Sequence, residues 1–139
     1  MIAVDTNILA RFYVEDPTDP EAPKQRPLAR ALIELSHAVF VPVTVVLELE
    51  WVMRGFYGKR PAEFCALLEH LAGLRNVTIE ALPRVLEAAR MHRDGLDFAD
   101  AMHLAGSRQC DELATFDARK FAHRAARLGL KPPCRVPRA

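Results

Sequence analysis

Cysteine is scarce in this chain, and the three present, Cys65, Cys110 and Cys134, are odd in number and stand in no C-x-x-C spacing. Neither a zinc site nor a disulfide framework is suggested, and ordinary small apolar side chains in a reducing cytoplasm account for them. Long hydrophobic runs are missing as well. The longest, Ala38 to Leu47, contains Pro42 and Thr44 and is too short to span a bilayer, so the expectation is a soluble protein with no membrane partner. No signal peptide is expected, because no basic residues precede the apolar start and Asp5 interrupts it. Net charge is only +1, which removes any global polycation argument for nucleic acid. Repeats, low-complexity tracts and linkers are absent too. With 139 residues, half of them hydrophobic, the expectation is one domain over residues 1–139 with a real core.

The charge that is present is unevenly spread. Residues 119–139 carry seven Lys or Arg and no acid, leaving 12 basic against 18 acidic residues in the first 118. A basic tail on an acidic body can meet phosphates; it reads equally well as a solvated helix face.

The most informative stretch is the opening one. Ile2 to Val4 is a short apolar run suited to a buried strand; it stops at Asp5. Thr6 and Asn7 are good N-cap residues for the helical pattern of Ile8, Leu9 and Phe12. Asp5 is thereby placed at the carboxyl end of a first strand, the edge where α/β sheets usually build their chemistry. Three prolines among acids, from Glu15 to Pro23, predict an exposed loop, and helical spacing begins near Pro27. Ala38 to Pro42 is a second strand, with Thr44 positioned to cap a helix that Gly55 and Gly58 end. Pro61 opens another helix, and Asn76 to Glu80 reads as a third strand. Leu82 to His92 is helical with Gly95 as its stop, and Asp97 opens a further helix. Leu113 to Thr115 reads as a short strand, Asp117 opens the helix bearing the basic residues, and Cys134 to Val136 is a candidate edge strand. Strands alternating with helices imply a parallel sheet with helices on both faces.

Carboxylates therefore gather at element junctions: Asp5, Glu48, Asp97, Asp100 and Asp117. Singly, each Asp reads as well as a helix cap, and Asp97 with Asp100 has the spacing of a capping box. Glu48 lies among Val45, Val46, Leu47 and Leu49, so burial is expected, and a buried carboxylate needs a partner or a cation. At one sheet edge these anions repel one another, and a hard divalent cation offsets the repulsion. An oxygen-only site without His or Cys favours Mg²⁺ or Mn²⁺ over zinc. Phosphodiester hydrolysis is the natural reaction of such a site.

Four segments then carry a resemblance: Val4-Asp5-Thr6-Asn7-Ile8-Leu9, Leu47-Glu48-Leu49-Glu50-Trp51-Val52, Leu96-Asp97-Phe98-Ala99-Asp100-Ala101 and Leu113-Ala114-Thr115-Phe116-Asp117. In order and spacing the chain resembles a PIN-domain ribonuclease, and within that family a VapC-type toxin of a bacterial type II toxin–antitoxin pair. The resemblance implies a three-layer α/β/α sandwich with a short, mostly parallel central sheet, and metal-dependent endonucleolytic cleavage of RNA. It assigns Asp5, Glu48, Asp100 and Asp117 as acidic metal ligands, with Asp97 an additional acid binding metal directly or through water. Asn7 and Thr115 match polar residues that orient the first and last acids. It also implies a homodimer and a small cognate antitoxin whose tail occludes the acidic groove. The segment from Asp16 to Pro27 is longer than in compact members, which bears on how that groove is walled.

The remaining residues take plainer readings. His103 follows Asp100 by one helical turn but suits a core or surface role, since hard cations prefer oxygen. Trp51 and Phe56 are able to stack bases, although packing is the expected role. Arg119, Lys120 and Arg124 follow Asp117 closely and are candidates to guide an RNA backbone. Two alternatives remain. A haloacid-dehalogenase-type phosphatase needs a second acid two residues after the first Asp, where this chain has Asn7. A non-catalytic RNA- or protein-binding module would typically have lost an acid, and every expected position is filled.

Overall fold

β-Branched and apolar residues make the strands, as their fit to a pleated surface requires. In the structure, a computed structural model describing Met1–Ala139, Ile2–Ala3 (β1), Val39–Val41 (β2) and Val77–Ile79 (β3) pair in parallel in the order β1-β2-β3. Ile2 stands opposite Val39, and Val39 opposite Val77. The architecture is α/β, and the chain divides into two compact units, Met1–Leu82 and Pro83–Ala139.

The first unit sets the helices Thr6–Tyr13 (α1), Ala22–Leu35 (α2), Val43–Gly55 (α3) and Pro61–Gly73 (α4) with this sheet. Leu9, Ile33, Val39, Val41, Val46, Leu49, Met53, Leu68 and Leu71 are its largest fully buried side chains, so every helix contributes a residue to the core. Its caps differ from the sequence expectation. Asp5, with extended φ −87° and ψ 169°, caps α1 by accepting from Thr6 N at 2.7 Å; Thr6 is already helical, so neither it nor Asn7 is the cap. Thr44 does not cap α3. Glu80, just past β3, does so from a distance by accepting from Val43 N at 2.8 Å.

The helix expected from Pro27 starts five residues earlier, at Ala22. Pro23 falls in the first turn, where a missing N–H costs nothing, and Pro27 forfeits only one bond of a helix already under way. The acidic proline segment is an exposed loop up to Glu21, as expected, but one tied down by side chains. Arg11 Nη2 donates to Asp19 at 2.5 Å, Arg26 pairs with Glu15 at 2.6 Å, and the Tyr57 hydroxyl donates to Asp16 at 3.3 Å.

The second unit contains Leu82–Arg93 (α5, starting one residue before it), Phe98–Ala105 (α6), Leu113–Ala114 (β4), His123–Arg127 (α7) and Cys134–Arg135 (β5). Gly95, at φ +120°, makes the turn between α5 and α6, a conformation only glycine adopts without strain. Val85, Ala88, Phe98, Ala101 and Leu104 are fully buried. β4 and β5 form their own parallel pair, Leu113 opposite Cys134, so the ladder is split in two rather than continuous. The helix expected to begin after Asp117 starts as a π-helical turn, Ala118–Ala122, in which Ala122 N donates to Asp117 O at 3.0 Å. One wider turn brings Phe121, Ala122 and Ala125 inward together, and such turns concentrate at functional sites.

Candidate active site

In the first unit the sheet delivers two acids to one edge. Asp5 lies just past the carboxyl end of β1, and Glu48 sits on α3, which leaves the carboxyl end of the adjacent strand β2. Asp5, Asn7 and Glu48 line one cavity of about 610 Å³. Thr6, only 5 % exposed, ties the two acids together: its N–H is held by Asp5, and its hydroxyl donates to Glu48 Oε1. Asn7 is exposed and lines the same cavity. Thr6 is thus the orienting residue that sequence reasoning overlooked. The signal was available, since a hydroxyl at the first helical position after a strand-end acid points back across the strand end.

Glu48 itself is exposed, contrary to expectation. The buried stripe of α3 is Val45, Val46, Leu49, Glu50 and Met53. At roughly 100° per residue, Glu48 falls well outside that stripe. Glu50 is the buried acid, 4 % exposed, and Arg54 Nε donates to it at 2.9 Å. Trp51 also leaves the packing expected of it: it is 57 % exposed and touches Phe56 edge-on, ring centroids 6.1 Å apart.

The second unit gathers three acids. Asp97 caps α6 by accepting from Asp100 N at 3.3 Å, half of the capping box its spacing suggested. Asp117 accepts from Lys120 N at 2.9 Å, while Thr115 Oγ1 accepts from Asp117 N at 3.0 Å and fixes that backbone. Asp100 is half-buried, and its carboxyl is pushed above the usual carboxylate range by burial first and by Asp97 next. His103 and Arg124 pull it the other way, and Asp117 adds to the rise. Arg124 Nη1 also donates to Gly95 O at 3.3 Å, whereas Arg119 and Lys120 are exposed. Burial and the Asp100 charge together raise the Cys134 thiol.

No group of three or more His, Cys, Asp or Glu side chains is drawn together tightly enough to hold a metal ion. The donor chemistry nonetheless fits a hard cation. All five acids are oxygen donors, and Asp100 is already disfavoured as a lone anion among its neighbours.

Comparison with known proteins is specific on one point. The family described as "PIN domain" matches residues 2–127, a span containing Asp5, Glu48, Asp97, Asp100 and Asp117. No curated protein matches the chain. On the strength of a match that runs from β1 to the end of α7, the chain belongs to the PIN domain family.

Proposed function

We propose that the chain is a Mg²⁺- or Mn²⁺-dependent endoribonuclease acting as one domain, the toxin of a cytoplasmic toxin–antitoxin pair. PIN domains are generally a nuclease fold, typically served by Mg²⁺ or Mn²⁺. One observation carries the reading. Asp5, Glu48, Asp97, Asp100 and Asp117 form no ion pair with any base, although Glu15, Asp16, Asp19, Glu50 and Glu112 do. Acids without an ion-pair partner, one of them, Asp100, made costlier to ionise by burial and by Asp97, suit a cation that is not part of the chain.

Asp5, Glu48, Asp100 and Asp117 are the proposed ligands, with Asp97 direct or through water. A bound divalent cation would polarise a phosphate oxygen, favour a hydroxide-like nucleophile and shield the leaving oxygen. The chain's own work is to hold acids in place: Thr6 fixes Asp5 and Glu48, Thr115 fixes Asp117, and Asn7 lines the approach. Arg119, Lys120 and Arg124 are the proposed contacts to the RNA backbone. The toxin assignment, with its antitoxin and homodimer, rests on the four acidic motifs.

The deciding experiment is cleavage of total RNA by purified, partner-free protein with Mg²⁺, Mn²⁺ or EDTA. Discrete fragments that vanish with EDTA are expected. No cleavage with either metal, from a folded sample, would assign the chain to the binding-module class instead.

The Asp100 shift gives a test independent of activity. A carboxyl whose folded pKa is raised contributes stability that is complete below the unfolded carboxylate range and lost as pH rises through the raised value. Metal-free protein therefore carries a penalty near neutrality that a cation relieves. The rise in melting temperature on adding Mg²⁺ is expected to be larger near pH 7 than below the ordinary aspartate pKa of about 3.9. Equal rises at both would remove Asp100 from the ligand set.

A further inference from the structure

We propose that Phe116 stacks on the nucleobase beside the phosphate that Asp117 would help to engage, and that it favours a purine there. The proposal deepens the nuclease reading and rests on it. Every residue it uses lies within Pro83–Ala139.

The turn that carries Phe116 is held on both sides. Thr115 N donates to Arg135 O at 2.9 Å, which ties the end of β4 to β5. Thr115 Oγ1 accepts from Asp117 N at 3.0 Å, and Phe116 O accepts from Ala118 N at 3.0 Å. With φ −79° and ψ 87° at Asp117, the second of these bonds closes a three-residue inverse γ-turn. Asp117 then accepts from Lys120 N at 2.9 Å through its side chain and from Ala122 N at 3.0 Å through its carbonyl. Phe116 therefore leaves a fixed backbone one residue before a candidate ligand.

On that fixed turn the ring stands in water. Phe116 is 84 % exposed, more than any other large apolar residue of the chain. The core is not short of an aromatic here, because Phe121 on the following π-helical turn is buried. Covering the Phe116 ring would be favourable, and nothing in this unit does so.

Its neighbours select what covers it. Arg119 and Lys120 follow Phe116 closely and are exposed. Neither is held by a carboxylate, whereas in the same unit Arg108 pairs with Glu87 and Arg135 with Glu112. No acid follows Asp117 to the end of the chain. An apolar protein surface would cover the ring only by desolvating two unpaired cations beside it. A nucleotide instead carries a flat ring and an anion at short separation. The turn offers the matching set: a ring for the base, Asp117 for a cation-bound phosphate, and two free cationic side chains for the next phosphate. Stacking tolerates any base edge but grows with ring surface, hence the purine.

The test uses the Asp5→Asn protein with Mg²⁺, so that RNA stays uncut while its binding is read by fluorescence anisotropy. The probes are labelled oligoadenosine, oligouridine and an abasic strand of equal length. Oligoadenosine should bind tightest and the abasic strand weakest. Adding Phe116→Ala should weaken oligoadenosine binding about 5- to 100-fold and leave the abasic strand unchanged. Phe116→Trp should restore the difference. Arg119→Gln with Lys120→Gln should weaken all three strands alike and flatten their salt dependence. Because the ring is exposed, Phe116→Ala should melt as its parent does.

Equal affinity for oligoadenosine and the abasic strand, or a preference for bases that survives Phe116→Ala, overturns the proposal. So does a dimer that Phe116→Ala converts to monomer in sedimentation, because the ring would then be an interface between copies. A Phe116-dependent preference for bases, in a chain that cuts nothing with either metal when Asp5 is intact, supports the stacking and sinks the nuclease reading. Metal-dependent cleavage with a base preference indifferent to Phe116 does the reverse.

Discussion

Asp5→Asn is expected to lower metal-dependent RNA cleavage by about a hundredfold or more while leaving the fold in place. The asymmetry follows from what the side chain does. Asp5 is exposed, and its protein hydrogen bond is the cap on α1, accepted from Thr6 N at 2.7 Å. An asparagine oxygen accepts the same bond, and Asn caps a helix about as well as Asp, so the stability change should stay within about 1 kcal/mol. The charge is lost, and with it the anionic group proposed as a ligand beside Glu48. Gel analysis of total RNA with Mg²⁺, alongside thermal melting of the pure mutant, separates the two effects. Chelator-sensitive cleavage at the wild-type rate in that mutant would mean that the acids have been assigned wrongly.

The largest stability effect should come from Phe98→Ala, at about 3–5 kcal/mol. Phe98 is fully buried at the first position of α6, between the Asp97 cap and Asp100. Its ring meets His92 edge-to-face, centroids 5.6 Å apart, and His92 Nδ1 lies 2.7 Å from Leu96 O, which fixes the turn leading into α6. Truncation leaves a cavity where the helix bearing two candidate ligands begins. Against a total stability of about 5–15 kcal/mol for an ordinary domain, this loss would populate unfolded chain at 37 °C. Urea unfolding gives the measurement, and Phe98→Leu should recover much of the loss. A cost under about 1 kcal/mol would show that α6 is anchored elsewhere.

Much of this was legible in the chain, for reasons that differ residue by residue. Strand, acid, helix at the amino terminus was readable because an apolar run acts locally, but β1 is exposed rather than buried, and Asp5 rather than Thr6 or Asn7 is the cap. Glu48 was misjudged as buried because apolar neighbours in sequence are not neighbours on a helix. Val46 widens the stripe of Val45, Leu49 and Met53 toward Glu50 and away from Glu48, which is left outside it. Trp51 was misjudged for the same reason.

What could not be read were contacts made across long separations. Glu80 caps α3 from 37 positions away, and Thr6 reaches Glu48 over 42. The proline segment was readable as a loop up to Glu21, because prolines and acids dominate its composition, but not the bonds that fasten it. Its order comes from Arg11, Arg26 and Tyr57, none of which lies in the run from Glu15 to Pro23. The separate pairing of β4 with β5 was equally out of reach, since two-residue strands carry no pattern that names a partner.

The Glu80 cap bears on how the molecule comes into being. β1, β2 and β3 are all parallel, with ladder partners such as Ile2 and Val39, or Val39 and Val77, far apart in sequence. No hairpin lets this sheet zip up from a local start, and each pairing must close a long loop first, which slows folding. The first N–H of α3 finds its carboxylate only when β3 has been made and has docked. During synthesis, therefore, the helix carrying Glu48 is completed late, after about eighty residues have left the ribosome. Until then the helix bearing Glu48 lacks its long-range cap, and the cavity that Asp5 and Glu48 line is unfinished.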